Sequence, residues 1–165
     1  MLKIGKTKEI TKTNIEIDYY IPFRISFSSN EIEDSICWRI GDFNKSLLEF
    51  SIGQDSRLLK KIVLVASSKV SLSNENLGKI IGTECGIPTI EFQDMKNQMV
   101  YDNPINFNTV LGNDFIKVFW SEKTCNQLKF DRVLIGIDEN KNLTSIIISD
   151  LSDFEHKELK DGFKL

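Results

Sequence analysis

A single histidine, three cysteines and 24 acidic residues are the groups from which this chain of 165 residues could build chemistry. His156 stands in "SDFEHKELKDG" among charged neighbours, with no second histidine anywhere in the chain. A general base needs a group to orient it, and a metal site needs several ligands at fixed spacing. Neither accompanies His156, so a solvated surface residue is expected. Cys37, Cys85 and Cys125 are odd in number and far apart, with no Cys-x-x-Cys pair. Buried, reduced thiols are therefore expected. Some hydrolases work with two carboxylates alone. With so many acids, however, nothing singles out Asp42 with Glu49, or Asp131 with Asp138. No GxSxG elbow, P-loop or GxGxxG is present. The expectation is a non-enzyme without catalytic, cofactor-binding or metal-binding residues.

The net charge of -3 and pI of about 5.3 argue mildly against nucleic acid, which is held by basic faces that neutralise phosphates. Lys60 and Lys61 in "LLKKIVLV" are adjacent, and in a regular strand they point to opposite faces and form no patch. Phe23, Phe27, Trp38 and Trp120 could stack on bases, but in a sheet protein such rings are expected to fill the core. What remains is a binding or inhibitory module that works by complementarity to one partner. The acidic set Glu31, Glu33, Asp34 and Asp42 flanks the Trp38 segment and is the candidate partner-binding group, with an ordinary solvated loop as the alternative.

These residues need a scaffold, and the dominant pattern for one has period two. Ile15, Ile17, Tyr19 and Ile21 alternate with polar residues up to Pro22, and Phe23, Ile25 and Phe27 resume the alternation. "ICWRI" reads as a short strand ending at Gly41-Asp42. "LLEFSIGQDSRLLKKIVLV" reads as a hairpin, with a second arm apolar on both faces and so expected to be covered on both sides. Shorter strands are expected at "TIEF", "QMVY", "INFNTVL" and "FIKVFW", and a second hairpin at "VLIGIDENKNLTSIIIS". "SNENLGKIIGTEC" is a helical candidate weakened by Gly78 and Gly82. Ser152 with Glu155 forms a capping box, so a short helix is expected to close near Gly162.

The hairpins align at a constant offset: Leu48, Phe50, Ile52, Leu58, Ile62 and Val63 fall on Val133, Ile135, Ile137, Leu143, Ile147 and Ile148. Two readings stay open here. Any two half-buried hairpins look alike; alternatively, the chain is duplicated into strand-rich halves of about 1–85 and 86–165, each closed by a helix. The fold class expected is α+β, mostly antiparallel, in one domain over 1–165, a length that buries roughly 70% of the unfolded surface. No secretory signal is seen at the start and no apolar run approaches ~18 residues, so no spanning helix and a cytoplasmic location are expected.

The stretch "WRIGDFNKSLLEFSI…LLKKIVLV", residues 38 to 65, resembles segments of small bacterial immunity proteins encoded beside polymorphic toxins, including those of contact-dependent growth inhibition. The resemblance implies a cytoplasmic antidote that binds a cognate toxin C-terminal domain, often a nuclease, and neutralises it by stoichiometric occlusion. One branch of these proteins resembles the Whirly fold of single-stranded-DNA-binding proteins. A nucleic-acid-binding module on a Whirly-like sheet is therefore the alternative. The basic, glycine-containing signature that Whirly proteins use for DNA is absent from this sequence. The resemblance implies no cofactor and carries no contact residues with it.

Overall fold

The computed structural model describes residues 1–8, 12–28, 32–78, 82–84, 86–91 and 98–165, with 82–84 described by backbone alone. The first strands are β1 (Lys3–Lys8), β2 (Lys12–Glu16), β3 (Phe23–Ser28), β4 (Ser35–Gly41), β5 (Leu47–Gly53) and β6 (Leu59–Ala66). Short strands follow: β7 (Val70–Leu72), β8 (Gly82–Glu84), β9 (Ile87–Glu91) and β10 (Val100–Asn103). The chain ends with β11 (Asn108–Leu111), β12 (Ile116–Phe119), β13 (Asn126–Phe130), β14 (Val133–Ile137), β15 (Leu143–Ile148) and the helix α1 (Asp153–Gly162). This is the expected α+β class, with mostly antiparallel sheets.

A six-stranded sheet runs β10-β4-β5-β6-β3-β2, and a seven-stranded sheet runs β7-β11-β12-β15-β14-β13-β8. Their antiparallel centres have one strand order. Reading 2-3-6-5-4 in the first sheet and 11-12-15-14-13 in the second, each predicted hairpin occupies the same place. Each centre is extended by a parallel edge strand, β10 beside β4 and β8 beside β13. These edges are exchanged along the chain: β8 precedes the second sheet's strands but joins their edge, while β10 lies beyond it in sequence and joins the first sheet. The ribbon β1-β9 makes a similar exchange. Ile4 of β1 donates its amide to the Lys141 carbonyl in the second hairpin loop, and Ile90 of β9 donates its amide to Arg57 in the first.

Alternation explains the core. In β3 the residues Phe23, Ile25 and Phe27 are buried while Arg24 and Ser26 are only partly so. Leu48, Phe50 and Ile52 of β5 are fully buried, as are Val133 and Ile135 of β14. All of them belong to one apolar cluster, so the two sheets bury their inner faces against each other. Aromatic pairs cross the seam, Phe50 with Trp120 at 5.9 Å and Phe27 with Phe130 at 5.6 Å, both edge-to-face. Phe23, Phe27, Trp38 and Trp120 thus fill or flank the core, as expected of aromatics in a sheet protein.

The helix is where its capping box placed it. The Ser152 hydroxyl accepts from the Glu155 amide, and the Glu155 carboxylate accepts from the Ser152 amide. Leu159 seals into the core, and Arg132 in the β13–β14 turn holds Glu155 with two hydrogen bonds of 3.0 and 2.5 Å.

Several expectations are corrected. The helix sought in 73–85 is not found: 73–78 is irregular, 82–84 is strand β8, and 79–81 and Cys85 lie outside the described residues. The first half therefore has no closing helix among the described residues. Cys125 is exposed rather than buried, and Cys37 is partly buried. Strand β6 is not covered on both sides, since Val63 and Val65 remain partly exposed. A register shift between Ser51 and Ile52 places Lys60 in a bulge of β6. Leu59 and Ile62 consequently both point inward, and Lys60 and Lys61 line the same cleft instead of opposite faces.

Exchanged strands and a common core predict one cooperative unit. Trp38 reports the six-stranded sheet, and Trp120, whose indole N–H donates to the Leu143 carbonyl at 2.9 Å, reports the other. In urea, the fluorescence transitions of Trp38→Phe and Trp120→Phe variants should superimpose once referred to equal stability. Two separated transitions would mean that the sheets fold independently.

Candidate functional site

The candidate acidic residues do not form one patch. Asp34 and Asp42 sit just outside the two ends of β4, eight residues apart; at ~3.3 Å per residue that is about 26 Å. Glu31 lies outside the described residues. Asp34 is exposed, and its backbone carbonyl accepts from the Gln54 amide at 2.9 Å. The Asp42 carboxylate receives the amides of Asn44, Lys45 and Ser46 at 3.0, 2.7 and 2.8 Å. These bonds, that from Lys45 foremost, hold its pKa below the usual carboxylate range. Asp42 thus shapes the β4–β5 turn and stays exposed beyond it.

Glu33 has a different role. Its side chain is only 8% exposed and its carboxylate is fully engaged. It accepts the amides of Asp55 and Ser56 at 2.8 and 2.9 Å, the Ser56 hydroxyl, and an ion pair from Lys60 at 3.0 Å. A glycine makes room for it: a Cβ on Gly53 would stand 2.2 Å from the Glu33 carboxylate oxygen. The second hairpin solves the same problem locally. There Asp138 accepts the Asn140 and Asn142 amides at 2.9 Å. Glu33 therefore organises the first hairpin loop from a distance, and spacing in the sequence gave no sign of it.

Between the two ends of β4 lies the outer face of the six-stranded sheet. Its registers align Asp102, Arg39, Glu49, Val63, Arg24 and Glu16 in one row across all six strands. Arg39 grips Asp102 bidentately at 2.6 and 2.9 Å, and Arg24 meets Glu16 at 2.8 Å. Such solvated pairs are screened by water and add little stability, so they order the face more than they stabilise it. The next row is Val100, Cys37, Ser51, Lys61, Ser26 and Asn14. Burial raises the Cys37 thiol pKa, and Glu49 adds to it. At the hairpin end of this face, Lys60, Lys61, Ser51 and Glu33 help line an open cleft of about 540 Å³.

The other sheet differs. Leu134 and Ile147 on its outer side are 1% and 2% exposed and cluster with Phe115, against which Leu77 and Val110 pack. The segment carrying Leu77 is fastened there, its amide donating to the Asp114 carboxylate at 2.7 Å. Two sheets with equivalent centres therefore have unequal outsides, one wrapped by its own chain and one lined by half-exposed side chains. Among the described residues, no group of three or more His, Cys, Asp or Glu could hold a metal, and no helix is long and apolar enough to cross a membrane. Comparison of the sequence with protein-family models and with curated proteins returns no match.

Glu33 gives a pH signature. Burial alone would raise its pKa, but the Ser56 hydroxyl and amide, Lys60 and the Asp55 amide outweigh burial and bring it to about 2 from 4.5. A depressed carboxylate stabilises the fold above its unfolded pKa and loses that contribution as the pH falls through the folded one. Glu33→Gln should cost about 1–3 kcal/mol at neutral pH. It should also flatten the decline in stability between pH 4.5 and about 2. Urea titrations across that range check this; an acid limb identical to wild type would remove Glu33 from the hairpin's support.

Proposed function

We propose that this chain is an immunity protein, which binds the C-terminal domain of a cognate toxin and neutralises it by stoichiometric occlusion in the cytoplasm. The observation that carries the reading is the outer face of the six-stranded sheet. Its rows of charged, small polar and valine side chains are held in register by cross-strand pairs and left uncovered by the described residues, whereas the equivalent face of the other sheet is wrapped. Six strands ~4.8 Å apart span about 24 Å, and strands of this length run about 20 Å. That is about 480 Å² in projection, more than half of one partner's share of a specific interface, roughly 800 Å² of accessible surface. The mixed charge of the central row suits recognition of one partner better than general attraction, because a mismatched charge pattern is penalised. Asp34 and Asp42, at the two ends of β4, border this face and remain candidate contacts.

The reading asks no catalysis of this chain, and its chemistry is that of a tight, slowly dissociating complex. The nuclease identity expected for the toxin belongs to the same proposal. Phe23, Phe27, Trp38 and Trp120 support the core, so the alternative nucleic-acid reading would need other rings for stacking.

The test is induction of the C-terminal domain of the protein encoded immediately upstream, in a bacterial host with and without this chain. Rescue of growth and co-purification of the two are expected. Glu49 and Val63 face each other in the central row, and Glu49→Arg with Val63→Arg should weaken binding by roughly 30-fold or more and abolish rescue. A toxic domain that this chain does not relieve, or a harmless upstream product, would overturn the proposal. Salt-sensitive oligonucleotide binding would favour the alternative.

A further inference from the structure

Strand β2 ends the six-stranded sheet and is hydrogen-bonded to β3 on one side. Among the described residues, no backbone hydrogen bond reaches its other side. An edge of this kind is a template for another strand, and proteins usually blunt it with charge, proline or a bulge. β2 contains no proline and pairs with β3 without a break in register. It reads Lys12-Thr13-Asn14-Ile15-Glu16, with opposite charges at its two ends. Lys12, Asn14 and Glu16 are exposed on the outer face. Thr13 and Ile15 are half-buried on the inner one, where Ile15 packs against the core.

Two-fold symmetry makes this strand its own complement. When two copies of a five-residue strand pair antiparallel over their full length, the register is fixed, because the middle residue must oppose itself. Asn14 then faces Asn14 of the copy, and Lys12 of each chain faces Glu16 of the other. Thr13 faces Ile15, a β-branched pair of the kind that stabilises adjacent strands. Within its own chain Glu16 accepts from Arg24 at 2.8 Å and from the Asn14 side chain at 3.2 Å. No carboxylate among the described residues pairs with Lys12, and the copy supplies one. An edge lysine by itself would repel a second copy, but here its counter-charge is on the same strand. The other described edges of the two sheets lack this property. β7 has no charged residue, and β8 and β10 have one each, Glu84 and Asp102.

We infer that β2 is a self-association surface. Two copies of this chain pair antiparallel through it, with Asn14 on the two-fold axis and a Lys12–Glu16 ion pair at each end. The contact lies in the plane of the sheets, so both outer faces stay open. The inference therefore goes beyond the toxin-binding reading and does not depend on it. Five paired residues make a small contact, so the dimer is weak, with a Kd of roughly 10–100 μM.

The experiment is sedimentation equilibrium of the full chain, from about tenfold below to tenfold above that Kd. Wild type should pass from monomer to dimer. Lys12→Glu sets like charges against each other at both ends and should weaken the dimer roughly tenfold or more, as should Glu16→Lys. An equal mixture of these two variants restores opposite charges and should dimerise within about threefold of wild type. Asn14→Cys tests the register, since directly opposed residues are close enough for a disulfide and should link readily on mild oxidation. In Lys12→Cys the two thiols stand about 13 Å apart along the strands and should link no faster than wild type. Unchanged thermal midpoints show that each variant is folded. Wild type that stays monomeric at every concentration would overturn the inference, as would a dimer that Lys12→Glu leaves within about twofold, or Asn14→Cys linking no faster than wild type. None of these results would touch the toxin-binding reading.

Discussion

Each sheet of this protein has one apolar face, and burying that face against the other sheet is the constraint from which the rest of the structure follows. Phe50 and Ile62 from the first sheet meet Trp120, Val133 and Ile148 from the second in a single cluster. Burial of this kind contributes roughly 25 cal/mol per Å² of apolar surface, and no network of solvated ion pairs approaches that over so wide an area. The polar rows therefore have no alternative but to face outward. Leu159 of α1 fills the core where the sheets leave it open, and the capping box and Arg132–Glu155 pair fix the helix there.

The two antiparallel centres share a strand order and trade elements. β8 and β10 each extend the sheet of the other half, and the β1-β9 ribbon ties both hairpin loops together. An internal duplication with exchanged edges would leave this pattern. The departures from equivalence carry the functional argument. Asp138 supplies its own loop with a carboxylate, whereas the position aligned with it is Gly53 and the carboxylate comes from Glu33. Leu77 covers the second sheet's outer side, and no counterpart among the described residues covers the first.

Features governed by local rules were legible in the sequence. Alternation located β3, β4 and both hairpins, and Ser152 with Glu155 located the helix. Features that depend on distant partners were not. The period-two reading of "LLKKIVLV" failed at a bulge, which shifts parity without any local mark when the flanking residues are all apolar. "SNENLGKIIGTEC" carried helical spacing at Leu77, yet Leu77 instead packs against the outer cluster of the second sheet. The acidic set was identified by composition, which cannot distinguish Glu33, folded into a loop as an acceptor, from Asp34, exposed in solvent. The row from Asp102 to Glu16 unites residues spread along the first two thirds of the chain and becomes visible only with the registers known.

The central proposal is that the outer face of the six-stranded sheet, which the described residues leave uncovered, is the surface a protein partner occupies. Methyl-resolved NMR cross-saturation from the upstream-encoded C-terminal domain, bound to labelled protein, tests it most directly. Saturation should reach the methyl groups of Val63, Val65 and Val100, which lie on that face. It should leave those of Leu77 and Val110, on the wrapped side, untouched. Saturation at Leu77 and Val110 with Val63 and Val100 silent would contradict the account and move the interface to the other sheet.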